Sequence, residues 1–90
     1  MNHWTEENQS LNKTFTFPTF EEAMRFMQLA TPFITELDHH PTWSNTYNRV
    51  RVILTTHDVG NVVTEKDREL AKILDEIYSN LWLQFKASLR

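Results

Sequence analysis

The fold is decided by one short segment in which the spacing of apolar residues changes from the period of a strand to that of a helix. It reads Leu11-Asn12-Lys13-Thr14-Phe15-Thr16-Phe17-Pro18-Thr19-Phe20-Glu21-Glu22. Phe15 and Phe17 alternate with threonines, which predicts a β-strand from Leu11 to Phe17 that Pro18 ends. The residues from Thr19 to Glu22 then spell a capping box, so the segment predicts a strand followed at once by a helix.

This first helix is predicted from Phe20 to Leu37, because its apolar residues recur at spacings of three and four. They are Phe20, Ala23, Met24, Met27, Ala30, Ile34 and Leu37. Pro32 falls inside the helix, where a proline removes a backbone donor and crowds the preceding turn. We therefore expect a kink or a break near Ala30.

Three more strands and a second helix are predicted from the same two periods. A short strand around His3 to Glu7 would pair with the first one, and the alternation from Trp43 to Tyr47 and from Arg49 to Thr55 predicts a second hairpin. A long helix should begin at Thr64, with the acids Glu65 and Asp67 in its first turn, and reach about Leu89. This order predicts an α+β fold, with a four-stranded antiparallel sheet and helices packed on one face.

Composition places the whole chain, residues 1–90, in one globular domain. It has 40% hydrophobic and 23% charged residues, and its formal net charge of −3 disfavours direct binding to nucleic acid. Cysteine is absent, which excludes disulfides, thiolate zinc sites and a cysteine nucleophile. Because no apolar run approaches the roughly 20 residues that span a bilayer, and no signal-peptide pattern opens the chain, we expect a cytoplasmic protein without membrane contact.

Three histidines follow the ends of predicted elements. His39 and His40 come after the first helix, and His57 comes after the last strand, whereas His3 lies near the terminus and is given no role. An imidazole both gives and takes protons near neutral pH, so three of them in one cleft would suit acid/base catalysis. From the residues alone, surface or capping roles are the more common fate of paired loop histidines, and both interpretations stay open.

Two aspartates flank these histidines. Asp38 and Asp58 can each orient an imidazole, accept from a substrate amine or remain solvated loop acids. Together with the histidines they also supply enough ligand atoms for a metal site, which is the weaker alternative. We predict no metal.

A set of short motifs resembles the signature of the pterin-4a-carbinolamine dehydratase family. The motifs are Asp38-His39-His40-Pro41-Thr42-Trp43, Asn45, Tyr47-Asn48, Thr56-His57-Asp58 and Lys66-Asp67, within a resemblance that extends from Trp4 to Ala71. The resemblance implies a four-stranded antiparallel sheet backed by helices, in chains assembled as homodimers or homotetramers. It also implies dehydration of 4a-hydroxytetrahydropterin, such as 4a-hydroxytetrahydrobiopterin, to quinonoid dihydropterin. This is the recycling step after aromatic amino-acid hydroxylation, and it uses no metal or organic cofactor.

The resemblance also assigns site residues, position by position. The family's catalytic histidines fall on His39, His40 and His57. Its substrate-binding segments predict contacts from Asp38, Thr55, Thr56 and Asp58. We predict that His57 and His39 exchange protons with the pterin and that His40 mainly positions it. Trp4 or Trp43 could form a wall for the flat ring, although core packing is the more common role of such residues.

An alternative function and several departures accompany the resemblance. Some members of the family stabilise the dimer of a homeodomain transcription factor, so the alternative is a non-catalytic pterin-binding, dimerisation or coactivator accessory protein. Thr35 stands where the family often has an acid, and Asn61 replaces a common glycine in a loop that is one residue longer. The family commonly has a helix before the residue matching Trp4, and we hypothesise that the apolar tail from Tyr78 to Leu89 replaces it.

Overall fold

The computed structural model describes residues 3–88, and its elements follow the predicted order. The strands are β1 (Thr5–Glu7), β2 (Ser10–Thr16), β3 (Thr42–Thr46) and β4 (Arg49–Leu54). The helices are α1 (Phe20–Leu37) and α2 (Glu65–Ser88), with a 3-10 turn at His57–Val59. Five predicted strand residues lie just outside the strands, namely His3, Trp4, Phe17, Tyr47 and Thr55. Leu89, where the last helix was expected to end, is outside the described residues.

The four strands form one antiparallel sheet in the order β1-β2-β4-β3. On one face Phe15 lies opposite Val50 and Leu11 lies opposite Leu54, and all four side chains are buried. Residues at the alternating positions, such as the pair Thr14 and Arg51, point to the other face, which is largely polar. Both helices cover the apolar face, so the predicted α+β class is confirmed.

The core joins the sheet to both helices. Phe26 of α1 lies with its ring centroid 4.8 Å from that of Phe15, and α2 contributes the fully buried Leu70 and Leu74. The two helices run antiparallel, since Arg25 near the start of α1 donates to Gln84 near the end of α2. The end of α1 therefore lies beside the start of α2.

Of the kink or break expected near Ala30, the break is wrong, because α1 runs uninterrupted from Phe20 to Leu37. Pro32 is exposed, and so is Gln28, whose carbonyl loses its helical partner at the proline. Water on that side of the helix can replace the missing hydrogen bond. Among residues 3–88, no helix combines the length and the apolar character needed to cross a bilayer.

Candidate active site

The turn after α1 positions the first two histidines. Asp38 adopts the left-handed conformation, with φ of 50°, and its backbone N–H donates to the carbonyls of Ile34 and Thr35. This turn reverses the chain at the helix end. As a result His39 is buried, with 8% of its surface exposed, whereas His40 is exposed.

Asp67, in the first turn of α2, holds His39 in place. Nε2 of His39 lies 2.5 Å from Oδ1 of Asp67. Oδ2 accepts a second hydrogen bond from the hydroxyl of Thr56 at 2.7 Å and a third from the backbone N–H of Thr64 at 2.8 Å. Asp67 is completely buried, so these donors replace the water that an exposed carboxylate would bind.

The same contacts keep Asp67 ionised. Burial by itself raises the pKa of a carboxyl group, but the hydrogen bonds from His39, Thr64 and Thr56 and the attraction of His39 outweigh it. The pKa of Asp67 therefore lies below its ordinary value. An ionised carboxylate only accepts hydrogen bonds, which means that Nε2 of His39 carries a proton.

The third histidine stands on a tight loop after β4. The backbone of Thr56 pairs with Val62, which closes the loop, and residues 57–59 form a single 3-10 turn between them. Gly60 and Asn61 follow in the left-handed conformation, with φ of 85° and 60°. Nδ1 of the exposed His57 lies 2.6 Å from Oδ1 of Asn61.

These elements converge on one cavity of about 160 Å³. It is lined by Asp38, His39, His40, Thr55, Thr56, His57, Asp58 and Lys66. All seven residues that the sequence predicted for the site therefore share one cavity, although they come from two separate segments. Lys66 adds a cation that was not predicted as a site residue.

Sequence reasoning missed two neighbours of the site and misplaced two tryptophans. Asp67 was interpreted as an acid of the helix start and as part of the family motif, without a role in the site, and Asn61 was interpreted only as a departure from the family pattern. The Lys66-Asp67 motif was the signal that could have identified Asp67, whereas nothing in the sequence indicated the contact of Asn61 with His57. Trp4 and Trp43 do not line the histidine cavity; both pack partly buried against the core.

A larger cavity, of about 780 Å³, lies between β1 and α2. Its described lining residues include Trp4, Arg68 and Asp75 but no histidine. We place the candidate site at the smaller cavity, because titratable groups with defined partners converge there. Within the described part of the chain, no group of three or more histidine, aspartate or glutamate side chains is arranged to hold a metal ion.

Fold and site together define a small α+β protein with a histidine-lined cavity. The chain belongs to the pterin 4 alpha carbinolamine dehydratase family, whose pattern matches residues 1–77. A relative from Opitutus terrae, whose name of pterin-4-alpha-carbinolamine dehydratase is provisional, is 49% identical over 74 residues. That match covers 82% of this chain and 76% of the relative.

Two solved structures are similar to this chain. A transcriptional coactivator/pterin dehydratase from Brucella melitensis has 38% identity and a TM-score of 0.78, over 86% of this chain and 81% of that one. A pterin dehydratase-like protein described as a RuBisCO assembly factor in the alpha-carboxysome has 21% identity and a TM-score of 0.71. It matches over 87% of this chain and 96% of its own, and at that identity the likeness supports the fold alone.

Proposed function

We propose that the chain dehydrates 4a-hydroxytetrahydrobiopterin, or a related 4a-hydroxytetrahydropterin, to quinonoid dihydropterin and water. The observation that carries the proposal is the meeting of His39, His40 and His57 at one cavity. Membership of the pterin 4 alpha carbinolamine dehydratase family supports the substrate class.

The reaction requires two proton transfers, one to the substrate and one from it, so that no net proton is consumed. The hydroxyl on carbon 4a accepts a proton and leaves as water, while the neighbouring ring N–H gives one up. The electron pair of that N–H bond forms the new carbon–nitrogen double bond. Two imidazoles can share these tasks, and a positioned acid or base contributes roughly 10²- to 10⁴-fold to a rate.

His39 is suited to one of the two transfers. Its Nε2 is committed to Asp67, so only Nδ1 can exchange a proton with the substrate. The buried carboxylate fixes the ring and balances the positive charge that appears when the ring takes up a proton. His39 therefore resembles the histidine of a carboxylate–imidazole pair, with Asp67 as its positioning residue.

The remaining side chains divide into groups that can contact the pterin and groups that build the site. His57 exchanges the second proton, and the exposed His40, Asp38 and Asp58 position the ring. Thr56 lines the cavity, but its hydroxyl already donates to Asp67 and its backbone pairs with Val62. The hydroxyl of Thr55 likewise donates to the carbonyl of Gln9, at 2.9 Å. In this proposal both threonines support the site, and their hydroxyl oxygens can still accept a hydrogen bond from the substrate.

The volume of the histidine-lined cavity is relevant to whether the chain works as an oligomer. About 160 Å³ is well below the roughly 300 to 1,000 Å³ of ordinary ligand pockets, so one chain encloses only part of a pterin. We propose that the chain works as a homodimer or homotetramer in which a second copy can cover the rest. Its location in the cytoplasm stays a prediction.

The test is stopped-flow measurement of the disappearance of 4a-hydroxytetrahydropterin. The native chain should accelerate it, and His57→Ala should lose about 100-fold or more of that rate, as expected for a lost acid or base. His3→Ala is the matched control, since His3 is exposed and does not line the cavity, and it should behave as the native chain does. Absence of any acceleration by the native chain would reject the proposal.

The same experiment distinguishes the accessory alternative. The Brucella melitensis relative is described as both a transcriptional coactivator and a pterin dehydratase, so the fold is compatible with a second role. A chain that binds a pterin in a fluorescence titration but does not speed the loss of water would be an accessory protein. The hydrogen bonds that orient the rings of His39 and His57 favour the enzyme.

A further inference from the structure

We propose that Asn61 is a positioning residue that sets the tautomer of His57. It holds the proton on Nδ1 and leaves the lone pair of Nε2 for the substrate. The catalytic meaning of this inference rests on the proposed function. The tautomer itself is a property of the chain and can be tested without a substrate.

The proton's place follows from the atoms in contact. Oδ1 of Asn61 lies 2.6 Å from Nδ1 of His57, and an amide oxygen can only accept a hydrogen bond. Nδ1 must therefore carry a hydrogen. A neutral imidazole carries one ring proton, so Nε2 of the neutral ring is bare.

The loop is built to deliver this contact. Asn61 is four residues after His57 and adopts φ of 60°, a left-handed conformation that asparagine tolerates better than most residues. The backbone N–H of Asn61 donates to the carbonyl of Thr56 at 3.0 Å. Thr56 is anchored in turn by Asp67, so the amide of Asn61 is held on the same frame as His39.

The two catalytic rings are thereby held by different nitrogens. His39 donates from Nε2 to a carboxylate, and His57 donates from Nδ1 to an amide. An amide selects a tautomer without adding a charge, whereas a carboxylate also stabilises the protonated ring. This difference makes His57 the better candidate for a neutral base and His39 the better candidate for an acid.

Among the described residues, none of the charged groups around His57 is hydrogen-bonded to its ring. The cavity that His57 lines also receives Asp38, His39 and His40 from the end of α1, Asp58 from the same loop and Lys66 from α2. Only Asn61 is hydrogen-bonded to the His57 ring in the described part of the chain. A glycine at position 61 would keep the left-handed turn and remove the acceptor.

The test is nitrogen-15 NMR of the His57 ring at a pH where the ring is neutral, with His57→Ala used to assign its signals. The native chain should show a protonated Nδ1. Asn61→Gly should shift the population toward protonated Nε2, and Asn61→Asp, which keeps an acceptor oxygen, should restore Nδ1–H. The matched control is Asn8→Gly, because Asn8 is an exposed asparagine that also has a positive φ, of 51°.

Kinetics provide the second measurement. Loss of one ordinary hydrogen bond changes an equilibrium by roughly fivefold, so Asn61→Gly should lower kcat by about that factor and change KM little. An unchanged His57 tautomer in Asn61→Gly would overturn the inference. If the native chain has no dehydratase activity, the proposed function fails, and the NMR result still decides the role of Asn61.

Discussion

Nε2 of His39 lies 2.5 Å from Oδ1 of Asp67, and this one contact ties the end of α1 to the first turn of α2. Asp67 has no exposed surface and also accepts a hydrogen bond from Thr56, two residues after the end of β4. Three elements therefore meet on a single carboxylate. Asp67 both joins these elements and positions His39, the proposed acid. Substitutions of Asp67 should therefore lower stability and activity together.

The first prediction concerns the pH dependence of stability. The pKa of Asp67 is lower in the folded chain than its ordinary value of 3.8, so its ionised form favours folding. This contribution is complete above the ordinary pKa and is lost as the pH falls through the folded pKa. Asp67→Asn should lower the free energy of unfolding by about 2 to 4 kcal/mol at neutral pH, and the difference should shrink in strong acid.

Urea denaturation of both chains across this pH range is the measurement. Asp58→Asn is the control, because Asp58 is exposed at the same cavity and should change stability by less than about 0.5 kcal/mol. A difference between the native chain and Asp67→Asn that stays constant from neutral pH into strong acid would contradict the assignment.

The second prediction separates the backbone role of Asp38 from its carboxylate. Its φ of 50° is free of strain only for glycine, so Asp38→Ala should cost about 1 kcal/mol more than Asp38→Gly in thermal unfolding. If the carboxylate contacts the pterin, both variants should show a higher KM. Equal melting temperatures for the two variants would contradict the expected backbone strain at position 38. An unchanged KM would contradict a contact between the Asp38 carboxylate and the pterin.

The third prediction concerns the part of α2 that follows the family match. Leu81 has 2% of its surface exposed, whereas Leu83 has 65%. Leu81→Ala should therefore lower the free energy of unfolding by about 2 to 5 kcal/mol, and Leu83→Ala by less than about 0.5 kcal/mol. Similar losses in both variants would show that the tail does not pack as described.

The hypothesis that the tail replaces a helix is tested by truncation after Asn80. The truncation removes Leu81, which is buried, and Trp82, whose ring centroid lies 6.5 Å from that of Tyr78, so the shortened chain loses packing contacts. We expect the shortened chain to melt at a lower temperature and to sediment as a smaller species. If it melts and sediments as the native chain does, the tail is dispensable.

The fourth prediction concerns a buried lysine between the sheet and α2. Nζ of Lys13 lies 2.7 Å from Oδ1 of Asp75 and 4.8 Å from the ring centroid of Phe15, and its side chain is 8% exposed. Asp75→Ala leaves this ammonium and the indole N–H of Trp4 without their acceptor. The cost should be about 2 to 4 kcal/mol.

Adding Lys13→Met to Asp75→Ala should recover part of that loss, because the methionine side chain needs no partner. A double-mutant cycle by chemical denaturation measures the coupling. Additive losses in the two single variants would mean that the pair contributes little to stability.

Local patterns were sufficient for most of the fold. Phe15 and Phe17 alternate with polar residues because one face of β2 is buried. Thr19 caps α1, and its hydroxyl accepts from the N–H of Glu22 at 3.1 Å, which is one of the two hydrogen bonds of the predicted capping box. The break expected near Ala30 was wrong, because the cost of a proline inside a helix depends on whether the carbonyl that it leaves unpaired is buried or exposed. That property belongs to the folded chain and cannot be derived from the helix alone.

The site was predictable only in part. The motif carried His39, His40 and His57, and these residues do share a cavity, while their chemical roles stay proposals. Asp67 looked like an ordinary acid at a helix start, because only tertiary packing brings it to the end of α1. Asn61 was missed since nothing local indicates which ring its amide will contact.

The length of α2 offers a practical route to the state of association. About 30 Å of helix separates Asp67 from Ser88, taking 1.5 Å for each residue. The natural sequence contains no thiol, so Ser88→Cys would create a unique attachment point for a fluorescent dye. Energy transfer between labelled copies could then report how many chains come together, with the dye far from the imidazoles.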